Sequence, residues 1–247
     1  DDDGKLPDKD AEKARLSYDA KTFAMKTAWK GMFDPSKTYS TNPDPTLKRW
    51  FISSATRRGY TIIKGDVKNA YRQALTDRGK RWIRVPEFLR EHDESGRELY
   101  IELGPYAFWG ERPSGHDWDE TFYADRKKIG WLPCDGVPGL WTYGEAMMIG
   151  EVDDFLVAEP AANEYAIAAR TIHLLIGIYR NENNQVAVTW EAEPRQYAGW
   201  QIAVSDDLTT RTLQVTQKVI NAAREHIPAV VDGDKEGIKR LDLLKGK

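Results

Sequence analysis

Three carboxylates stand where apolar runs would otherwise read as buried strands. Asp153 and Asp154 lie side by side in IGEVDDFLVA (149–158), and Asp66 falls near the end of the apolar run YTIIKGDV (60–67). Like charges in such runs cost stability unless something neutralises them, because burial and mutual repulsion both disfavour the ionised forms. Brought together in one sheet, oxygen-only ligands with open positions suit Mg2+, which keeps waters and bridges to substrate phosphates. Two such ions stabilise the attacking and the leaving oxygen of an in-line phosphoryl transfer. These residue types therefore point to the chemistry of a polymerase. The bland alternative is that an Asp-Asp pair is a solvated turn or a helix cap, which is its commoner use.

For the carboxylates to meet, Asp66 must end one strand and Asp153 and Asp154 must lie in a hairpin beside it. Apolar periodicity predicts the elements that could do this. Leu47, Trp50, Phe51, Ser54 and Ala55 form a stripe on a helix over 47–58, with Lys48, Arg49, Arg57 and Arg58 mostly outside it and Gly59 as its stop. A strand follows at 60–67 and a short one at 82–85. Ser114 can cap a helix in which Trp118, Phe122 and Ile129 share a face, ended by Gly130. A hairpin is predicted from 140–143 and 146–158, then a helix over 163–179, a strand at 186–190, a strand pair at GWQIAV and RTLQV, and a helix over 217–226. Helices mixed with antiparallel hairpins give an α+β protein, an antiparallel sheet backed by helices.

Composition excludes several other functions. With 247 residues and 40% hydrophobic content the chain can bury a core. The single Cys134 rules out a disulfide framework and a cysteine-rich zinc site, and His92, His116, His173 and His226 lack metal-ligand spacing. No apolar run nears the roughly 20 residues of a membrane span, and the acidic N-terminus is unlike a signal peptide. No membrane partner is expected, and an intracellular location, cytoplasmic or nuclear, is. The chain opens on Asp1 rather than Met, as a piece of something longer would. A net charge of −3 excludes a uniformly basic nucleic-acid binder, but not local patches. Arg57, Arg58, Lys64 and Lys68, and Arg78, Lys80, Arg81 and Arg84 around Trp82, could track phosphates or simply be solvated faces. Trp118, Trp131 and Trp141 have core-like spacing. DGDKEG (232–237) opens like a calcium loop, but Leu243 stands where a bidentate Glu is required, so it reads as an acidic loop.

Seven blocks, in order, resemble the reverse transcriptase domain of copia-type retrotransposons (pseudoviridae) over almost the whole chain. Lys13-Ala14-Arg15-Leu16 is similar to the start of KARLVARGF; RRGYTIIKGDVKNAY, ending at Tyr71, to RGWELHQLDVKNAF; and WIRVPEFL (82–89) to YMRQPPGF. WGERPSGHDWD (109–119) echoes YGLKQSPRAWY, and Gly130-Trp131 through GVPGLW echoes the GF…DPSLF block. EVDDFLV matches YVDDILV, and YAGWQIA…RTLQVTQ resembles FLGIEI…RTLSQ. The resemblance implies a single domain with reverse-transcriptase-like fingers and palm. Residues 1–12 would be a lead-in, about 13–60 and 75–105 fingers-like, about 61–74 and 106–226 palm, and 227–247 a C-terminal tail.

By the same resemblance, Asp66, Asp153 and Asp154 would be the catalytic carboxylates. Together with the backbone carbonyl of Val67 they would hold two Mg2+ ions, with Mn2+ as a substitute. Tyr71 would sit under the sugar of the incoming nucleotide and exclude a 2′-hydroxyl. Lys13 and Arg15 would reach its triphosphate, where fixed cations stabilise developing charge. Arg112 and Ser114 would lie under the template and nucleotide. The implied activity is that of an RNA-directed DNA polymerase, a nucleotidyltransferase. Its partners would be an RNA or DNA template-primer, deoxynucleoside triphosphates and the remainder of a polyprotein. Glu151, Pro113, Gly115 and His116 depart from the family pattern. The rival reading is a decayed or domesticated remnant that binds RNA or a protein without catalysis.

Overall fold

The computed structural model describes residues 42–77, 104–108, 111, 113–181, 183–207 and 209–216, with His92, residues 94–96 and the backbone of the strands at 12–19, 24–29, 81–84 and 101–103. Arg112, Arg78, Lys80, the helix expected over 217–226 and the DGDKEG loop lie outside the described residues.

The chain starts with β1 (Glu12–Asp19) and β2 (Ala24–Trp29), followed by helix α1 (Pro45–Arg57) and β3 (Tyr60–Val67). β4 (Arg81–Arg84) and β5 (Ile101–Leu103) join the first two in a four-stranded sheet of order β2-β1-β4-β5, in which β1 and β4 run parallel. Helix α2 (Ser114–Lys128) leads into β6 (Leu132–Pro133), β7 (Leu140–Tyr143), β8 (Ala146–Glu151) and β9 (Asp154–Pro160). After helix α3 (Ala166–Ile178) comes β10 (Val188–Ala192). The central sheet has six strands, all antiparallel, in the order β10-β3-β9-β8-β7-β6. A three-stranded sheet of β11 (Gln196–Tyr197), β12 (Trp200–Val204) and β13 (Arg211–Val215) completes the described fold. The mixed helix and antiparallel-sheet class is the one expected.

Side chains alternate across the central sheet, and each face has its own core. Ile62, Ile149, Leu156 and Ala158 pack with Phe51 and Ile52 of α1 and with Tyr197 and Ile202. Ile63, Met148, Phe155 and Val157 pack with Trp118 and Phe122 of α2 and Ile172 and Leu175 of α3. Helix α1 therefore lies on the six-stranded sheet. Its apolar stripe finds a partner in the face that carries Ile62 and Leu156. The tryptophans Trp118, Trp131 and Trp141 are all buried, as their spacing suggested.

Local chemistry sets the boundaries. Helix α1 begins two residues before the expected start, because the Asp44 carboxylate accepts from the backbone N–H groups of Thr46 and Leu47 at 2.6 and 2.9 Å and Pro45 opens the helix. It stops at Gly59, whose φ of +65° suits glycine. Ser114 does not cap α2: the cap position is Pro113, and the Ser114 hydroxyl donates instead to the Phe108 carbonyl at 2.8 Å. Helix α3 starts later than periodicity suggested and carries no cap of its own. The buried Glu159 carboxylate on β9 takes that role, accepting from Ile167 and Ala168 N–H at 3.0 and 2.9 Å. The run 146–158, expected as one hairpin arm, is two strands folded back at Val152 and Asp153. No helix among the described residues is long and apolar enough to cross a membrane.

Candidate active site

Register brings the acids together. Asp66 on β3 stands opposite Asp154 on β9, Asp154 is also paired with Glu151 on β8, and Thr189 on β10 is opposite Asp66. Thr189, Asp66, Asp154 and Glu151 thus form one row across four neighbouring strands. Opposed residues of an antiparallel pair have Cβ atoms about 4.5–5.5 Å apart, so neighbours in this row feel each other directly. Asp153 lies in the turn between β8 and β9.

That turn is tight and strained. Val152 has φ +52°, a left-handed conformation that costs a β-branched residue of order 1–3 kcal/mol and persists only where surroundings impose it. Two hydrogen bonds impose it here. The buried Trp118 indole N–H donates to the Val152 carbonyl at 2.5 Å, and the Val67 N–H donates to the Asp153 carbonyl at 2.9 Å. Helix α2 and strand β3 therefore hold the two turn residues from separate elements.

The charges are partly compensated. Lys64, two residues before Asp66 on β3, brings its Nζ to 2.9 Å from Asp154 Oδ1. Lys48 of α1 brings its Nζ to 2.6 Å from Glu151 Oε2. The Thr189 hydroxyl donates to Asp66 Oδ2 at 3.4 Å. Even so, desolvation raises the Asp66 carboxyl above the usual range and Asp154 adds to the rise. Asp153 is raised as well, first by desolvation and then by Asp66 and Asp154. A groove of about 280 Å³ opens beside Asp66, lined by Lys64, Gly65, Thr189, Trp190 and Glu191.

The other expected site residues divide. Tyr71, half-buried in a 3-10 turn at Ala70–Gln73, has its phenol raised first by desolvation and then by the charge of Asp153. Val67 is fully buried beside Asp66. Ser114 is fully buried, its hydroxyl facing Phe108 and Glu111 inside the fold. Lys13 and Arg15 lie on β1. His116 pairs with Glu120 at 3.1 Å. Lys48, Lys64, Thr189 and Trp118 were not expected at the site. A signal existed for Lys64, because residues i and i−2 of a strand share a face. The other three are joined to the site only by tertiary packing.

The donor set fits a hard divalent cation in kind: carboxylate oxygens, with raised Asp66 and Asp153 carboxyls whose repulsion a cation would offset. It is not a preassembled cage. Among the described residues no three of His, Cys, Asp or Glu converge closely enough to hold an ion, and Lys64 is the countercharge at Asp154.

Fold and site together define an α+β protein with a row of acids across an antiparallel sheet. No protein-family model matches the chain, and no curated protein does. Among solved structures, a telomerase from Candida albicans, determined with the TWJ fragment of telomeric RNA, is similar at 12% identity with a TM-score of 0.42. The match covers 73% of this chain and 35% of that one, so this chain spans about a third of the telomerase's length. A likeness at that level defines neither the activity nor the partners of this chain.

Proposed function

We propose that the chain is an RNA-directed DNA polymerase domain of a copia-type retrotransposon, built as fingers and palm. The observation that supports this reading is the placement of Asp66 directly opposite Asp154, with Asp153 in the adjoining strained turn. Sequence blocks far apart in the chain meet at one point of the sheet, as the chemistry requires. The primer 3′-hydroxyl would attack the α-phosphorus of a deoxynucleoside triphosphate, forming the new P–O bond as pyrophosphate leaves. Asp66, Asp154 and the Val67 carbonyl, with Asp153 in the turn, would hold Mg2+. When bound, it would supply Lewis-acid stabilisation of the attacking and leaving oxygens. Lys64 would release Asp154 for that role, Thr189 would orient the Asp66 carboxylate, and Tyr71 would exclude a 2′-hydroxyl.

The Lys64–Asp154 ion pair favours a second reading. A carboxylate already satisfied by a lysine suits a remnant that keeps the fold and binds RNA without catalysis. Mg2+-dependent extension of a primed RNA template separates the two, with Asp153→Asn as control. Extension by the wild-type protein that the control abolishes supports the polymerase. Template binding without extension supports the remnant, and extension surviving the substitution overturns the assignment of the site.

A further inference from the structure

We propose that Lys48 is a positioning residue for the Val152–Asp153 turn, acting through Glu151. The proposal rests on the polymerase reading above. Glu151 is the residue immediately before the turn and the register partner of Asp154, so an unpaired charge there would add a fourth acid to Asp66, Asp153 and Asp154. Repulsion at that point pushes β8 and β9 apart where the turn must stay closed. Lys48 offsets it at 2.6 Å.

The pair is built into the fold. Lys48 sits in the first turn of α1, a helix whose start is held by Asp44 and whose stripe is anchored by the fully buried Phe51. Its side chain is 11% exposed and that of Glu151 30%, so the attraction is screened far less than that of a surface pair. Among the described residues the Tyr197 hydroxyl is buried without a hydrogen-bond partner, and its phenol is raised first by desolvation and then by the charges of Glu151 and Asp154. A phenol supplies no positive charge. Among the described residues Lys48 is the cation within ion-pair distance of Glu151. The placement of a lysine inside the polar break of an otherwise apolar helix stripe thus has a reason outside the helix: the turn that carries the catalytic acids is tied to α1.

The test is a double-mutant cycle in primer extension, with thermal unfolding of each variant. Lys48→Met is expected to lower kcat about tenfold with little change in KM for the deoxynucleotide, and Lys48→Met with Glu151→Gln to return kcat to within about threefold of wild type. Lys48→Arg is expected to stay close to wild type. If Lys48→Met does not fold, the double variant is still compared with wild type and must meet the threefold limit. A Lys48→Met protein as active as wild type, or a double variant as impaired as the single, overturns the proposal while the polymerase reading stands. A wild-type chain that extends no primer overturns both.

Discussion

Gly65 and Phe155 face each other across β3 and β9, and the Phe155 ring fills the space that a side chain at Gly65 would need. A Cβ at position 65 would collide with the end of that ring. The ring in turn packs against Phe122 of α2 with centroids 5.9 Å apart. The contact lies one residue from Asp66 and one from Asp154, so the spacing of the acids depends on a large-against-small fit on the opposite face of the same strands. Gly65→Ala is expected to destabilise the protein by about 1–3 kcal/mol through overpacking. Adding Phe155→Leu should recover part of that loss. Urea unfolding of the single and double variants checks it; equal stability of Gly65→Ala and wild type would refute the fit.

The raised carboxyls of Asp66 and Asp153 set a sign for pH dependence. A carboxyl whose pKa is higher in the folded state than its ordinary 3.8 binds protons more tightly when folded, so stability falls as pH rises through the folded value. Asp66→Asn and Asp153→Asn should therefore melt higher than wild type near pH 7. The difference should shrink as pH falls below the folded values and vanish below the unfolded one. Melting curves across that range decide it, and a variant that melts lower at pH 7 would contradict the cause given for the shifts.

Trp118 offers a separable readout. Its ring stacks on Phe122 at 5.2 Å while its N–H holds Val152. Trp118→Phe keeps much of the packing and removes the donor to the half-buried Val152 carbonyl, at a cost of about 0.5–1.5 kcal/mol. Primer extension is expected to fall through kcat, because the turn carrying Asp153 loses one of its two restraints. Steady-state kinetics beside thermal unfolding would show it; unchanged kcat in a folded variant would remove Trp118 from the site.

Glu159 is a purely structural case. Glu159→Ala leaves the Ile167 and Ala168 N–H groups unpaired at a helix start that has no other cap, and should cost about 1–3 kcal/mol. Hydrogen exchange should localise the loss to the first turn of α3. Uniform exchange with no loss of stability would mean that water replaces the carboxylate without penalty.

The sequence made the elements more legible than their joints. Strand β3, helix α2 and the pair β12 and β13 follow from apolar periodicity, which is local. The break at Val152 does not: tight hairpin turns favour Gly, Asn or Asp at positions of positive φ, and a valine there is imposed by Trp118 and Val67 from elsewhere. Lys48 is similar. Apolar periodicity sets it mostly outside the stripe, yet it shares the buried face of α1 with Phe51, Ile52 and Ala55 and is 9% exposed, because its partner Glu151 comes from another part of the chain. Asp66, Asp153 and Asp154 could be read as a group because their oddity is local, charge inside apolar runs, whereas Thr189 looks like any other strand threonine.

Strand β10 also dictates an order of assembly. Thr189 meets Asp66 across 123 residues of chain, and until β10 docks, β3 has only β9 on one side and an open edge on the other. With β9 already beside β3, the connection still to be closed runs from Pro160 through α3 to Val188, longer than the tight β8–β9 turn and slower to close. Until then the strand bearing Asp66 would present an unpaired sheet edge, open to pairing with another chain. The part of the sheet on which the proposed chemistry depends is completed late, so a nick or misfold between α3 and β10 would leave a largely formed core and an unfinished site.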